Sequence, residues 1–357
     1  MYNFIVKSNI HDYEVNFIDN VKKTLETELI EGDFIIIDNK VKSFYPKWFE
    51  DVFENYNYIG IDAAESQKSY QEVEPIINTL IQRGFRKNHR LIAIGGGITQ
   101  DVTAFIASIL YRGVQWCFFP TTLLAQGDSC IGSKTSINFG KFKNQVGGFY
   151  PPNKIYVDPQ FLNTLPFKEL QSGLGEMAHY FVVAGEEDFD RYKRDYTQAL
   201  VDKNVLRGII ARSLEIKKSY IEIDEYDKNE RQVFNYGHSF GHAIESLTNY
   251  GIPHGIAISF GMDMSNFVSM KKGYITSKVR QNSRELFEKI WFGYTNQVKG
   301  LDIDNYLVAL SKDKKNKGPL LGLILNKGYG EVFKDFTEND MIFRSWIVEY
   351  FANELNY

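Results

Sequence analysis

Short runs that are apolar at nearly every position recur through the first half of this chain. Residues 34–38 read FIIID, 58–62 YIGID, 91–97 LIAIGGG, 116–122 WCFFPTT and 153–158 NKIYVD. A strand with one face in water alternates polar and apolar residues. Continuous apolar runs instead belong to strands covered on both faces. Between them, Val73, Ile76, Ile77, Leu80 and Ile81 repeat with the spacing of one helix face, and 101–111 reads as another helix. Strand and helix in alternation predict a mostly parallel sheet with helices on both sides.

After Pro151-Pro152 and the strand at 153–158 the pattern changes to helical spacing. Helices are predicted at 168–183, 187–200, 204–223, 231–248, 255–270, 278–294, 303–312 and 338–355, with one hairpin near 320–333. A length of 357 residues fits two domains, an α/β domain over 1–157 and a helical one over 158–357. Hydrophobic residues make up 43% and charged residues 24%, as in an ordinary globular protein. The formal charge, 41 − 45 = −4, argues against a nucleic-acid partner held by bulk basicity. Cys117 and Cys130 are the two cysteines, with no CxxC pair, which excludes a disulfide scaffold and a cysteine-built zinc site. No apolar run approaches the ~18 residues that would span a bilayer. MYNFIVKSNIHDYEV, with Lys7 and Asp12 inside it, does not read as a signal peptide. The expectation is a cytoplasmic protein without a membrane partner.

Three segments carry chemistry. Gly95-Gly96-Gly97 ends a strand and precedes a helix, where a pyrophosphate can approach the backbone. The pattern is not GxGxxG, and a plain tight turn is the competing reading. Asp101 is either a helix-start acid or a cofactor contact. The stretch 121–148, rich in Gly, Ser, Thr and Asn and carrying Lys134, Lys141 and Lys143, reads as a loop suited to a phosphorylated ligand or as a solvated surface loop. Three of the six histidines, His238, His242 and His254, fall close together. His238 and His242, four apart, share a helix face and are ready ligands for a first-row metal. A carboxylate should complete the set, either Glu245 from the same helix or Glu176 from GLGEMAHY. A nucleotide, a metal and scattered basic residues together point to redox chemistry on a sugar phosphate.

These segments also carry a resemblance. GGGITQD at 95–101, YRGV at 111–114, PTTLLAQGDSCIGSKTSIN at 120–138, KNQVGGFYPP at 143–152, GLGE at 173–176, NYGHSFGHAIE at 235–245 and HG at 254–255 resemble the sugar-phosphate cyclases, most closely the 3-dehydroquinate synthases. The resemblance implies a Rossmann-like, NAD-binding α/β domain followed by an all-helical metal-binding domain. Glu176, His238 and His254 would hold zinc, with cobalt also accepted. His242 would then act in catalysis with Asp128, Lys134 and Lys217. Asp38, Glu65, Lys68, Gly96, Gly97, Asp101, Thr121, Thr122 and Lys143 would bind the cofactor. Asn144, His179, Arg231, Asn235 and Lys314 or Lys315 would bind substrate. Arg112 would enter the neighbouring subunit's site, which implies a homodimer. The implied reaction oxidises a substrate hydroxyl, eliminates phosphate, returns the hydride and closes a carbocycle by an intramolecular aldol step.

Two positions depart from the family pattern. His179 stands where a lysine is usual in E-x-x-K, and Phe234 where a smaller aliphatic residue is usual. Arg231 and Asn235 favour a substrate bearing a carboxylate, 3-deoxy-arabino-heptulosonate 7-phosphate, since an arginine fork suits that group. A sister cyclase acting on sedoheptulose 7-phosphate, glucose 6-phosphate or an amino analogue is the alternative. A metal-dependent polyol dehydrogenase and a non-enzymatic binding module come after it.

Overall fold

The structure, a computed structural model, describes residues 2–140, 142–313 and 315–355. Lys314, one of the expected phosphate-binding lysines, lies outside them. Strands β1 (Phe4–Val6), β2 (Tyr13–Phe17), β3 (Phe34–Asp38), β4 (Asn57–Ile61), β5 (Leu91–Gly95) and β6 (Trp116–Pro120) precede the hairpin β7 (Lys134–Phe139) and β8 (Phe142–Phe149); β9 (Lys154–Val157) follows. Seven of them form one sheet in the order β1-β2-β9-β6-β5-β3-β4, parallel except for the edge pair β1-β2. Every residue of β3, β5 and β6 is buried, as their apolar runs require. Ile35, Ile37, Ile92, Ile94 and Phe119 pack with Phe49 and Val52 of the helix Pro46–Asn55 in the main core.

Some elements are absent from the sequence reading. β2, YEVNF, alternates Tyr13, Val15 and Phe17 inward with polar residues outward, and its central polar positions hide a short strand. The segment 121–148 is not a loop throughout. Residues 125–129 form a π-helical turn, and 134–149 pair as an antiparallel hairpin with a bulge between Ile137 and Phe139. Gly147 permits this pairing, because a Cβ there would meet the Thr135 carbonyl oxygen at 1.9 Å. The helix expected from 101 starts earlier, at Gly97, and ends at Ile109.

The chain divides into two compact units: residues up to Pro166 with Ile210–Asp227, and Phe167–Ile209 with Lys228 onward. A single cut between 157 and 158 does not reproduce this division. Residues 210–227 join the first unit, where Ser213 Oγ donates to the Gly127 carbonyl at 2.7 Å. The second unit is helical except for the hairpin β10 (Leu320–Asn326) and β11 (Val332–Glu338), where the sequence pattern predicts one. The helix expected over 231–248 is broken. A 3₁₀ turn covers Glu230–Asn235, Gly237 adopts φ +83°, and the α-helix runs His238–Leu247.

Candidate functional site

In the first unit the glycine turn is shaped by its neighbours. A Cβ on Gly95 would strike Thr99 Oγ1 at 2.2 Å, and one on Gly96 would reach Thr122 Cγ2 at 2.8 Å. One on Gly97 would meet nothing nearer than Ser129 Oγ at 4.0 Å, so the helix start is open to a ligand. The first N–H groups of the helix Gly97–Ile109 have no intrahelical acceptor and suit a phosphate oxygen. Thr121 N donates to the Gly95 carbonyl at 2.9 Å, and Thr122 Oγ1 accepts from Ala125 N at 3.2 Å.

Beside this turn a polar network joins residues far apart in sequence. Lys68 Nζ lies 2.5 Å from Asp101 Oδ2 and 2.5 Å from Asn144 Oδ1. Asn138 donates to Glu65 Oε1 at 2.7 Å and accepts from Asn144 N at 2.9 Å. Glu65, Lys68, Asp101 and Asn144 are thus brought together, with Asn138 as a connecting residue that the sequence did not single out. Burial raises the Asp101 carboxyl above its ordinary range, and Lys68 opposes that rise. Asp38 caps the short helix Asn39–Phe44, accepting from Lys40 N at 2.9 Å. Burial raises its carboxyl as well.

Two expected catalytic lysines are paired within the same unit. Lys217 donates to Asp128 Oδ1 at 2.6 Å and to the Asp128 carbonyl at 2.7 Å. Lys134 Nζ lies 2.5 Å from Asp227 Oδ2, a partner not foreseen from the sequence. Lys143 is exposed on β8, and Arg112 is exposed with φ +65° after Tyr111 at +51°.

The second unit builds a different centre. The helix Phe167–Ala184 carries Glu176, the helix His238–Leu247 begins at His238, and the helix His254–Lys271 begins at His254. Glycines let these helices touch backbone to backbone. A Cβ on Gly255 would lie 1.9 Å from the Ser172 carbonyl oxygen, and one on Gly261 2.0 Å from that of Gly237. The approach brings Glu176 Oε1 to 3.3 Å from His238 Nε2, and Oε2 to 3.3 Å from His254 Nε2. Glu176 is 4% exposed, and its Oε2 is buried without an ordinary hydrogen bond. The opposite edge of each imidazole meets an oxygen: His238 Nδ1 faces the Tyr236 carbonyl at 3.3 Å, and His254 Nδ1 faces Glu245 Oε2 at 3.0 Å. With Nδ1 carrying the hydrogen, both Nε2 lone pairs turn toward the carboxylate. Two imidazoles and a carboxylate are one of the donor sets that open catalytic metal sites use.

The charges agree with this reading. Burial alone would raise the Glu176 carboxyl, but His238 and His254 hold it well below its usual value. Burial would lower His254, yet Glu176 and Glu245 hold it well above. His242 brings a ring nitrogen within 4.8 Å of those of both other histidines. It is exposed at its surface, yet desolvation by the protein around it and the neighbouring His238 and His254 push it down to about 3. Lys315 is salt-bridged to Asp313 at 2.6 Å. Arg231 is buried in the 3₁₀ turn, and Asn235 donates to the Gln232 carbonyl at 3.1 Å. His179 is 1% exposed, 3.9 Å from Glu176 Oε1, with Phe234 at 5.6 Å between ring centres. The two departures from the family pattern pack against each other.

Comparison with known proteins bears on this pair of sites. The N-terminal and C-terminal domain models of 3-dehydroquinate synthase match residues 58–172 and 173–316. The 3-dehydroquinate synthase of Prochlorococcus marinus is 33% identical over 356 residues, covering 95% of this chain and 97% of that protein. The chain belongs to the 3-dehydroquinate synthase family. Within that family the enzyme of Dictyoglomus thermophilum is 36% identical over 313 residues, 87% of each chain. Among solved structures, 2-deoxy-scyllo-inosose synthase complexed with carbaglucose-6-phosphate, NAD+ and Co2+ superposes with a TM-score of 0.85 at 23% identity, covering 98% of this chain and 99% of that one. The 2-epi-5-epi-valiolone synthase of Streptomyces hygroscopicus, with NAD+ and Zn2+ bound, gives 0.83 at 22% identity, with 99% of each chain covered. At that identity these two establish the fold alone. Among the described residues no helix is long and apolar enough to cross a membrane.

Proposed function

We propose that this member of the 3-dehydroquinate synthase family converts 3-deoxy-arabino-heptulosonate 7-phosphate to 3-dehydroquinate and phosphate, using NAD and a divalent metal. That places it among carbon–oxygen lyases of the shikimate pathway, which feeds aromatic amino acid biosynthesis. One observation carries the reading: Glu176 meets two imidazoles whose other nitrogens are already held by oxygens. When bound, NAD supplies a reversible hydride acceptor and the metal polarises a substrate hydroxyl.

The chain's own residues position and exclude. Gly96, Gly97 and the helix start receive the dinucleotide's pyrophosphate, with Asp38, Glu65, Lys68, Asp101, Thr121, Thr122 and Lys143 around the rest of the cofactor. Glu176, His238 and His254 hold the metal, with zinc the expected ion and cobalt a substitute. Arg231 and Asn235 read the substrate carboxylate, an assignment that suits a guanidinium fork. Asn144 and Lys315 bind substrate oxygens. Lys134 and Lys217 present positive charge to the departing phosphate, with Asp128 holding Lys217 in place, and His242, held neutral, can accept a proton at a ring nitrogen. Arg112 serves a second copy's site in a cytoplasmic homodimer.

The test supplies metal-loaded protein and NAD+ with each candidate sugar phosphate, measures released phosphate and identifies the product by NMR. Phosphate release from the heptulosonate without net NADH is expected. Absence of release from it would overturn the substrate assignment. Net NADH would instead indicate a polyol dehydrogenase. A second reading, a sister cyclase acting on sedoheptulose 7-phosphate, glucose 6-phosphate or an amino analogue, is favoured by the buried His179–Phe234 pair beside Glu176. Release from one of those sugars alone would establish it.

A further inference from the structure

Glu245 is the second carboxylate at the histidine cluster, and it does not point where a ligand would. It sits two turns into the helix His238–Leu247 and is 8% exposed. Its Oε2 lies 3.0 Å from His254 Nδ1, while Nε2 of the same ring faces Glu176 at 3.3 Å. Glu245 and Glu176 therefore occupy opposite edges of one imidazole. A single ion held by Glu176 and Nε2 is screened from Glu245 by the ring itself.

We infer that Glu245 is a positioning residue for the metal, fixing His254 as a ligand through Nε2 and balancing the charge of the cation. The inference rests on the functional reading above and adds a residue to it. The two candidate ligands are oriented unequally. His238 faces a neutral carbonyl at 3.3 Å, whereas His254 faces a carboxylate at 3.0 Å. A charged acceptor makes the stronger bond and raises the basicity of the far nitrogen. Charge counting agrees: a divalent cation with Glu176 alone leaves one uncompensated positive charge in a buried site, and Glu245 cancels it without occupying a coordination position.

The experiment uses the full-length, metal-stripped chain. Zinc affinity is measured by chelator competition, and the visible absorption of the Co2+-loaded protein reports ligand geometry. Glu245→Gln keeps the shape and an acceptor oxygen but loses the charge, and Glu245→Ala loses both. Zinc affinity should fall about 10-fold in the first and about 100-fold in the second, the range expected when the outer partner of a metal-bound histidine is removed. The Co2+ absorption band should shift in both, and Glu245→Asp should restore part of the affinity. A purely structural glutamate would lower the melting temperature and leave the Co2+ band unchanged. Should Glu245→Ala not fold, the near-isosteric Glu245→Gln carries the test. Wild-type zinc affinity and an unchanged band in Glu245→Gln would overturn the inference and leave the functional reading intact. A wild-type chain that takes up no metal would overturn that reading, and the inference with it.

Discussion

His238 and His242 are spaced to share a helix face, and spacing alone pairs them as ligands. Glu176 instead touches His238 and His254, with His242 close to both but not on the carboxylate. His254→Ala should therefore lose most bound zinc, because an inward Nε2 disappears. His242→Ala should keep its metal and lose turnover. Metal content per chain and phosphate release measure the two effects, and equal metal loss in both variants would refute the ligand set. Of the two carboxylates open to sequence reading, Glu245 lies on the histidine helix and Glu176 far upstream. Only side-chain direction separates them, and that depends on helices packed across the unit.

Those helices approach as closely as they do because glycine lines their crossings. Gly255 has the Ser172 carbonyl where its Cβ would be, and its N–H donates to Ser172 Oγ at 3.0 Å. Gly255→Ala must push the helices Phe167–Ala184 and His254–Lys271 apart, at a cost of about 1–3 kcal/mol for forced overpacking. Because Glu176 and His254 ride on those two helices, zinc affinity should fall together with stability. Denaturant unfolding and chelator competition on the same variant test the link; lowered stability with unchanged affinity would break it. The helix expected over 231–248 fails for a related reason. Gly237 holds φ +83°, and a Cβ there would strike Met262 and the Ile258 carbonyl. The chain turns sharply there and delivers His238 at the start of a new helix. Nothing local in NYGHSF distinguishes that turn from a continuous helix.

Stability of the second unit also depends on a buried charge cluster. Asp263, fully buried, accepts from Arg280 at 2.9 and 3.1 Å, from Arg284 at 3.0 Å and from Tyr350 at 2.8 Å. Both arginines also reach Glu354 near the C-terminus. Asp263→Ala strips these arginines of a shared anion and should cost about 3–5 kcal/mol, read as a lower urea midpoint. Metal should act in the opposite direction. At a zinc concentration of about 100 Kd the folded chain gains about 2.7 kcal/mol. The raised His254 value sets the sign of its pH dependence. The proton on His254 must leave before metal binds, so zinc affinity and the melting-temperature gain should shrink as pH falls and grow as it rises toward the folded-state value. A gain independent of pH would contradict a histidine ligand.

Continuous apolar runs determined the parallel sheet on their own, because a strand buried on both faces has no other composition available to it. The glycine turn after β5 and the histidine cluster were equally legible, since each is local. The hairpin at 134–149, the antiparallel pair β1 and β2 at one side of the sheet, the membership of residues 210–227 in the first unit and the placing of Glu176, rather than Glu245, between His238 and His254 were not. Each depends on groups distant in sequence meeting through packed backbone, and no short stretch of residues carries the energy of those contacts.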